Sequence, residues 1–142
     1  MLNPVSDELT ARLRAALPGQ AFRDPEPRYF EEPRRRWKGA AGLVLAPATV
    51  EETAVIVAAA AAHRVAVIPY GGGTGLVGGQ VADDLPSPIL LSMERMRAVR
   101  AVYPNENVIV AEAGATLADI QAAARKVGLS ESQVAALIEE TA

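Results

Sequence analysis

Nine consecutive residues carry the densest candidate chemistry in this chain. Gly71, Gly72, Gly73, Gly75, Gly78 and Gly79 are six of its eleven glycines, interrupted only by Thr74, Leu76 and Val77. Without a Cβ the backbone reaches positive φ and lets a ligand approach the main chain closely. Consecutive amides in such a run converge on an anion, and a pyrophosphate is a group they suit. The run stands directly behind an apolar stretch that reads as a strand. A tight loop with no ligand is the competing reading of the same residues. Thr74 also has two readings: its hydroxyl bonds a phosphate, or it bonds its own turn.

Two familiar phosphate loops are excluded. A Walker loop needs Lys followed by Ser or Thr after its last glycine, and here Gly79 is followed by Gln80. A formal GxGxxG exists at Gly73, Gly75 and Gly78, but the Rossmann arrangement needs a helix opening at the loop, with its N-terminus on the pyrophosphate. Gly78, Gly79, Pro86 and Pro88 do not sustain such a helix.

Other reactive residues are sparse. There is no cysteine, which removes disulfides, thiolate zinc sites and thiol nucleophiles. The single histidine, His63, excludes a histidine cluster and reads as a helix C-terminal residue. Glu31 with Glu32, and Glu51 with Glu52, are adjacent acids. Sequence neighbours on a helix do not face one another, so they read as cap and surface groups. Arg34, Arg35, Arg36 and Lys38 surround Trp37, yet the net charge is −3 and no second basic patch accompanies them. A solvated arm explains them better than a nucleic-acid surface. No metal site and no catalytic residue emerges.

The elements that must position the loop follow from periodicity. Residues 5–17 place Leu9, Leu13 and Leu17 on one helical face, ended by Pro18 and Gly19. Residues up to 42, with Pro25, Pro27 and Pro33, read as an irregular arm. Residues 43–46 form a strand, and Thr49 with Glu52 forms a capping box for a helix over 50–64. Residues 65–68, Val-Ala-Val-Ile, then read as a buried parallel strand, completing a βαβ unit. A polar turn over 83–88 leads to a strand at 89–92. Residues 99–103 and 108–112 form a hairpin, and Thr116 caps a helix over 117–127 that ends at Gly128. A last helix over 131–140 carries Val134, Leu137 and Ile138 on one face, capped by Ser130 with Gln133. Half of the 142 residues are apolar and 22% are charged, the balance of a folded domain with a core. The longest apolar run, 54–62, falls well short of the roughly 20 residues a membrane span needs. The first residues lack the pattern of a signal peptide, and the expected compartment is the cytoplasm.

The stretch 69–79, Pro-Tyr-Gly-Gly-Gly-Thr-Gly-Leu-Val-Gly-Gly, resembles the flavin-binding loop of the PCMH-type FAD-linked oxidoreductases. It is most similar to their D-lactate dehydrogenase, glycolate oxidase and D-2-hydroxyglutarate dehydrogenase branch. Pro47 and Thr49 ahead of the crossover helix fit in order, as do Leu91-Ser92-Met93-Glu94-Arg95-Met96 and the stretch 110–117 with its following helix. The resemblance covers roughly residues 25–129. It implies an α+β fold, a βαβ subdomain followed by part of a second, mostly antiparallel sheet. It implies noncovalent FAD held by the backbone of Gly71, Gly72, Gly73, Thr74 and Gly75, with Leu76 and Gly79 lining the same cleft. Related flavoproteins that bind FAD covalently use a histidine in this loop, and this loop has none. Glu112, Ala113 and Gly114 are placed by the resemblance near the adenine end.

Past Leu129 the chain departs from the family pattern, which continues with a further glycine-rich segment and a substrate domain. The expected organisation is an N-terminal helix and arm over 1–42, a partial FAD-binding domain over 43–129 and a helical tail over 130–142. The family acts on small 2-hydroxy acids; a chain without the substrate domain is expected to be inactive alone. Ile109, Leu117 and Ile120 are expected to leave an apolar patch that the tail covers incompletely, so a second chain or self-association is expected. A noncatalytic binding module derived from a flavin domain, and a truncated product, stand as alternatives.

Overall fold

The computed structural model describes residues 1–81, 84–130 and 132–134. Contacts divide the chain into two units, Met1–Arg95 and Met96–Ala142. The α+β class expected from the sequence is the class observed.

In the first unit the sheet is organised around its most apolar strand. The strands are β1 (Phe22–Arg23), β2 (Leu43–Leu45), β3 (Val67–Tyr70) and β4 (Ile89–Ser92), in the order β1-β2-β4-β3. β4 lies parallel to both neighbours, Leu90 opposite Val44 on one side and Ile68 on the other, and all four of its residues are buried. Alternation along the strands then divides the apolar side chains between two faces. Leu45, Ile89 and Leu91 meet Leu9 and Leu13 of helix α1 (Asp7–Ala16) and Ile56, Ala59 and Ala60 of helix α2 (Val50–His63). Val44 and Leu90 face the other way, onto Tyr29 and Tyr70. Leu9, Leu13, Leu45, Ile56 and Ile89 are fully buried, each contributing about 1.5–3 kcal/mol over an exposed position.

Four sequence expectations for this unit are corrected. The strand expected at 65–68 runs instead from Val67 to Tyr70. Arg64 caps α2 with a φ of +56°, and the Val65 amide still bonds the Ala60 carbonyl, so the ladder begins only at Val67. β3 is also an edge strand, not an interior one, which is why Pro69 fits within it without a missing donor. The buried interior strand is β4, placed between β2 and β3. The arm is not wholly irregular either: Phe22 and Arg23 pair antiparallel with Leu45 and Val44. Finally, Thr49 accepts from the Glu52 amide as expected, but the Glu52 carboxylate reaches past the cap to the Ala48 amide at 2.7 Å. Its side chain is long enough to do so.

The second unit pairs β5 (Val99–Tyr103) with β6 (Val108–Ala111) through the turn Pro104–Glu106, and Asn107 closes it at φ +52°. Helix α3 (Leu117–Lys126) opens with a complete capping box: Thr116 accepts from the Asp119 amide and Asp119 accepts from the Thr116 amide. The hydrogen bond from Arg97, together with those from Thr116, holds the Asp119 carboxyl down at about 2. Gly128 follows α3 at φ +84° and Ser130 brackets Gln133 as expected. The exposed side of β6 carries Val108 and Val110, while Ile109 is half-buried; Leu117 is exposed and Ile120 half-buried. Val134 is buried. Leu137 and Ile138, and most of the helix read for 131–140, lie outside the described residues. Among the described residues no helix is long and apolar enough to cross a membrane.

Candidate functional site

The glycine loop leaves the carboxyl end of β3, and Glu94 stands just past the carboxyl end of the neighbouring parallel strand β4. Crevices beyond the carboxyl ends of parallel strands are where open α/β sheets bind ligands. The pivot is Tyr70, the last residue of β3. It is buried, its ring meets Tyr29 edge to face at 5.3 Å, and its hydroxyl donates to the Arg28 carbonyl at 2.7 Å. Burial pushes the Tyr70 phenol up.

Beneath the loop lies a polar cluster joining segments far apart in sequence. The fully buried Tyr29 donates its hydroxyl to Glu94 at 3.0 Å and accepts from Arg28 at 2.6 Å. Arg23 donates to the other Glu94 oxygen, and Arg28 stands 3.2 Å from the carboxylate. Burial and the Glu94 contact push the Tyr29 phenol up to about 12. For Glu94, burial alone raises the carboxyl, but the hydrogen bonds from Arg23 and Tyr29 and the two guanidinium charges outweigh it and hold the group below its ordinary range. This cluster fixes the arm against the sheet at the base of the loop.

The loop itself has the polarity of an anion cradle. Among the described residues, no backbone N–H of 71–76 donates to a protein acceptor. Two loop carbonyls are engaged: the Gln80 carboxamide donates to Gly75 at 2.8 Å and to Gly73 at 3.3 Å. The space above the main chain is open at Gly71 and Gly79, where a Cβ would meet nothing within 4 Å, and nearly so at Gly72. At Gly73, with φ +70°, a Cβ would run into the Tyr70 hydroxyl. At Gly78, with φ +78°, it would come within 3.1 Å of the Trp37 ring. The glycines therefore divide into those that leave room for a ligand and those that make room for the protein's own side chains, the latter including Gly75, where a Cβ would run into the Gln80 carboxamide. The residues present fit a diphosphate held by main-chain amides.

An open cleft of about 360 Å³ lies between the loop and the arm, lined by Gly72, Gly73, Tyr70, Arg28, Arg35 and Glu31 among others. The Thr74 hydroxyl has no hydrogen-bond partner among the described residues, so its reading as a bond within its own turn is not realised. Leu76 is exposed beside it. Thus the loop brings Gly71, Gly72, Gly73, Thr74, Gly75, Leu76 and Gly79 into one exposed bend. Glu112 accepts from the Ala98 amide and from Arg100, which hold its carboxyl low, and so closes the β5–β6 hairpin.

Sequence reasoning missed three contributors and misread a fourth. Glu32, taken as a surface acid, is buried and accepts the amides of Arg34 and Arg36. Those two bonds outweigh the desolvation that would raise its carboxyl, which stays low. It folds the arm beside the cleft. Trp37 belongs to the basic arm but leans on Gly78 and is only 36% exposed. Tyr70 and Gln80 flank the glycine run, and their polar groups adjoining so dense a run were the available signal.

A family model described as a FAD binding domain matches residues 41–141. Mitochondrial D-2-hydroxyglutarate dehydrogenase of Bos taurus is 34% identical over 119 residues, 80% of this chain and 21% of the relative. The enzyme of the same name from Xanthomonas citri pv. viticola is 36% identical over 101 residues, 71% of this chain and 21% of the relative. The chain therefore spans about a fifth of the length of these relatives. Among solved structures, alkyldihydroxyacetonephosphate synthase superposes with a TM-score of 0.75 at 22% identity, over 92% of this chain and 27% of that one. Phl p 4, a glucose dehydrogenase, superposes with a TM-score of 0.71 at 17% identity, over 85% of this chain and 27% of that one. These structural likenesses bear on the fold.

Proposed function

We propose, because the chain belongs to the FAD binding domain family, that it anchors the diphosphate of FAD on the main chain of Gly71, Gly72, Gly73, Thr74 and Gly75, without a covalent bond. The observation that carries this reading is the set of uncommitted amides at 71–76 at the carboxyl end of β3, with open space above Gly71 and only the Thr74 methyl, at 3.9 Å, near Gly72. Amides donating to a charged phosphate form bonds stronger than neutral pairs. Leu76 and Gly79 line the same bend, and the Thr74 hydroxyl is available as one further donor. No helix N-terminus contributes. FAD, when bound, supplies the redox chemistry by accepting a hydride; the protein supplies position and electrostatics. The curated relatives are named for 2-hydroxy acids, D-2-hydroxyglutarate and D-lactate, and oxidation of a small 2-hydroxy acid is the reaction we assign to the larger arrangement. To this chain we assign the cofactor-anchoring part of that arrangement.

The single tryptophan makes the test direct. Trp37 packs on Gly78 within the loop, so bound flavin quenches its emission by energy transfer. Titration with FAD is expected to give saturable quenching, and acid precipitation is expected to release all the flavin. Emission unchanged through millimolar FAD sinks the site assignment, and flavin retained in the precipitate sinks the noncovalent reading. Val108, Val110 and Leu117 are exposed on the second unit, apolar side chains that a second chain or a second copy covers in our reading. Sedimentation is expected to show self-association at tens of micromolar; a strictly monomeric profile counts against the second copy.

A further inference from the structure

Gln80 is a neutral, half-buried residue just past the glycine run, and the cofactor reading does not use it. The turn that closes at Val81, whose amide bonds the Gly78 carbonyl at 3.0 Å, folds Gln80 back across the loop. Its Nε2 then donates to two carbonyls, those of Gly75 and Gly73. Both partners are acceptors, so the carboxamide orientation is fixed.

The consequence follows from peptide geometry. In a planar trans peptide the C=O of one residue and the N–H of the next point in opposite directions. Drawing the Gly73 and Gly75 carbonyls toward Gln80 turns the Thr74 and Leu76 amides away from it, outward from the loop. Neither amide donates to a described residue. A loop of glycines left to itself samples many peptide orientations, and ordering it on binding costs affinity.

We propose that Gln80 is a positioning residue that sets the Thr74 and Leu76 amides toward a bound diphosphate before the ligand arrives. The inference rests on the FAD reading of the loop and deepens it. Gln80 touches no ligand atom; it acts through two carbonyls. Loss of its carboxamide leaves the core intact, since its partners are both within the loop.

The test compares the wild-type chain with Gln80→Met, which keeps the length and removes the donor, and with Gln80→Glu, whose carboxylate repels both carbonyls. FAD binding is read from Trp37 quenching, riboflavin binding likewise, and thermal melting without ligand. Backbone order parameters of Thr74 and Leu76 are measured by NMR in the ligand-free chains. Gln80→Met is expected to bind FAD about tenfold more weakly, with riboflavin affinity and melting temperature unchanged and both order parameters lowered. Gln80→Glu is expected to be at least as weak. Equal FAD affinity in wild type and Gln80→Met overturns the inference while leaving the cofactor site standing. Parallel losses of FAD affinity, riboflavin affinity and melting temperature reduce Gln80 to a structural role and overturn it too. A wild-type chain that binds riboflavin but not FAD overturns the diphosphate reading itself, and this inference with it.

Discussion

Gly72→Val is expected to weaken FAD binding about 100-fold while leaving the melting temperature within a degree or two of wild type. The two effects separate because of what surrounds this residue. Its φ is not in the left-handed region, and a Cβ would meet only the Thr74 methyl, at 3.9 Å. Valine therefore fits the protein. It does not fit a phosphate against the main chain, where the branched side chain holds the ligand off the amides. Losing one or two charge-assisted hydrogen bonds at about 1.5–3 kcal/mol each corresponds to roughly one to four decades of affinity. Gly73→Val is the informative contrast. There φ is +70° and the new Cβ meets the Tyr70 hydroxyl, which is itself bonded to the Arg28 carbonyl. A β-branched residue in that conformation is strained, so this variant is expected to lose affinity and also about 5–15 °C of melting temperature. Thr74→Ala, removing one hydroxyl, is expected to cost less than either. Unchanged flavin affinity in Gly72→Val, measured by the same quenching titration, places the diphosphate elsewhere.

This division among glycines shows where the sequence is readable and where it is not. The density of the run at 71–79 is a local property, and its position behind a strand is nearly local, so both are legible. Which glycine serves the ligand depends on Tyr70, Trp37 and Gln80, and only the folded chain says which ring lies over which residue. β4 is legible because four buried residues in a row leave no polar face to misplace. β3 shifts by two residues because Arg64 adopts a left-handed cap that no propensity demands. Glu32 is illegible for a sharper reason. Its partners are backbone amides of Arg34 and Arg36, and amides carry no sequence signature, so a buried, satisfied carboxylate reads the same as an exposed one. The Arg23, Tyr29 and Glu94 cluster joins residues 71 and 65 positions apart, beyond any periodicity.

That cluster carries the largest expected effect on stability. Glu94→Ala is expected to destabilise the first unit by about 1–4 kcal/mol at pH 7. Tyr29 is fully buried and would lose the acceptor for its hydroxyl, worth about 1–3 kcal/mol for an unsatisfied buried donor. Arg23 and Arg28 are partly exposed and turn to water, so their ion pairs add at most about 1 kcal/mol. Glu94→Gln keeps an acceptor oxygen for Tyr29 and is expected to lose less. The dependence on pH has a definite sign. The folded carboxyl sits below its ordinary 4.5, so the unfolded chain takes up the proton first as pH falls. The contribution of the charged form is therefore complete above about pH 5–6 and declines as pH drops through 4.5 toward the lowered folded value. The gap between wild type and Glu94→Gln, measured by urea unfolding, is accordingly expected to be larger at pH 7 than at pH 3.5. Because Tyr70 rests on Tyr29 and on the Arg28 carbonyl, the same variants are expected to loosen the loop above. FAD affinity then falls with stability, whereas Gly72→Val lowers affinity alone. A gap that does not narrow on acidification shows that the Glu94 charge is not what binds the arm to the sheet. The gap then reflects hydrogen-bond geometry to Tyr29 and Arg23 that an amide does not reproduce, and it stays the same size at every pH.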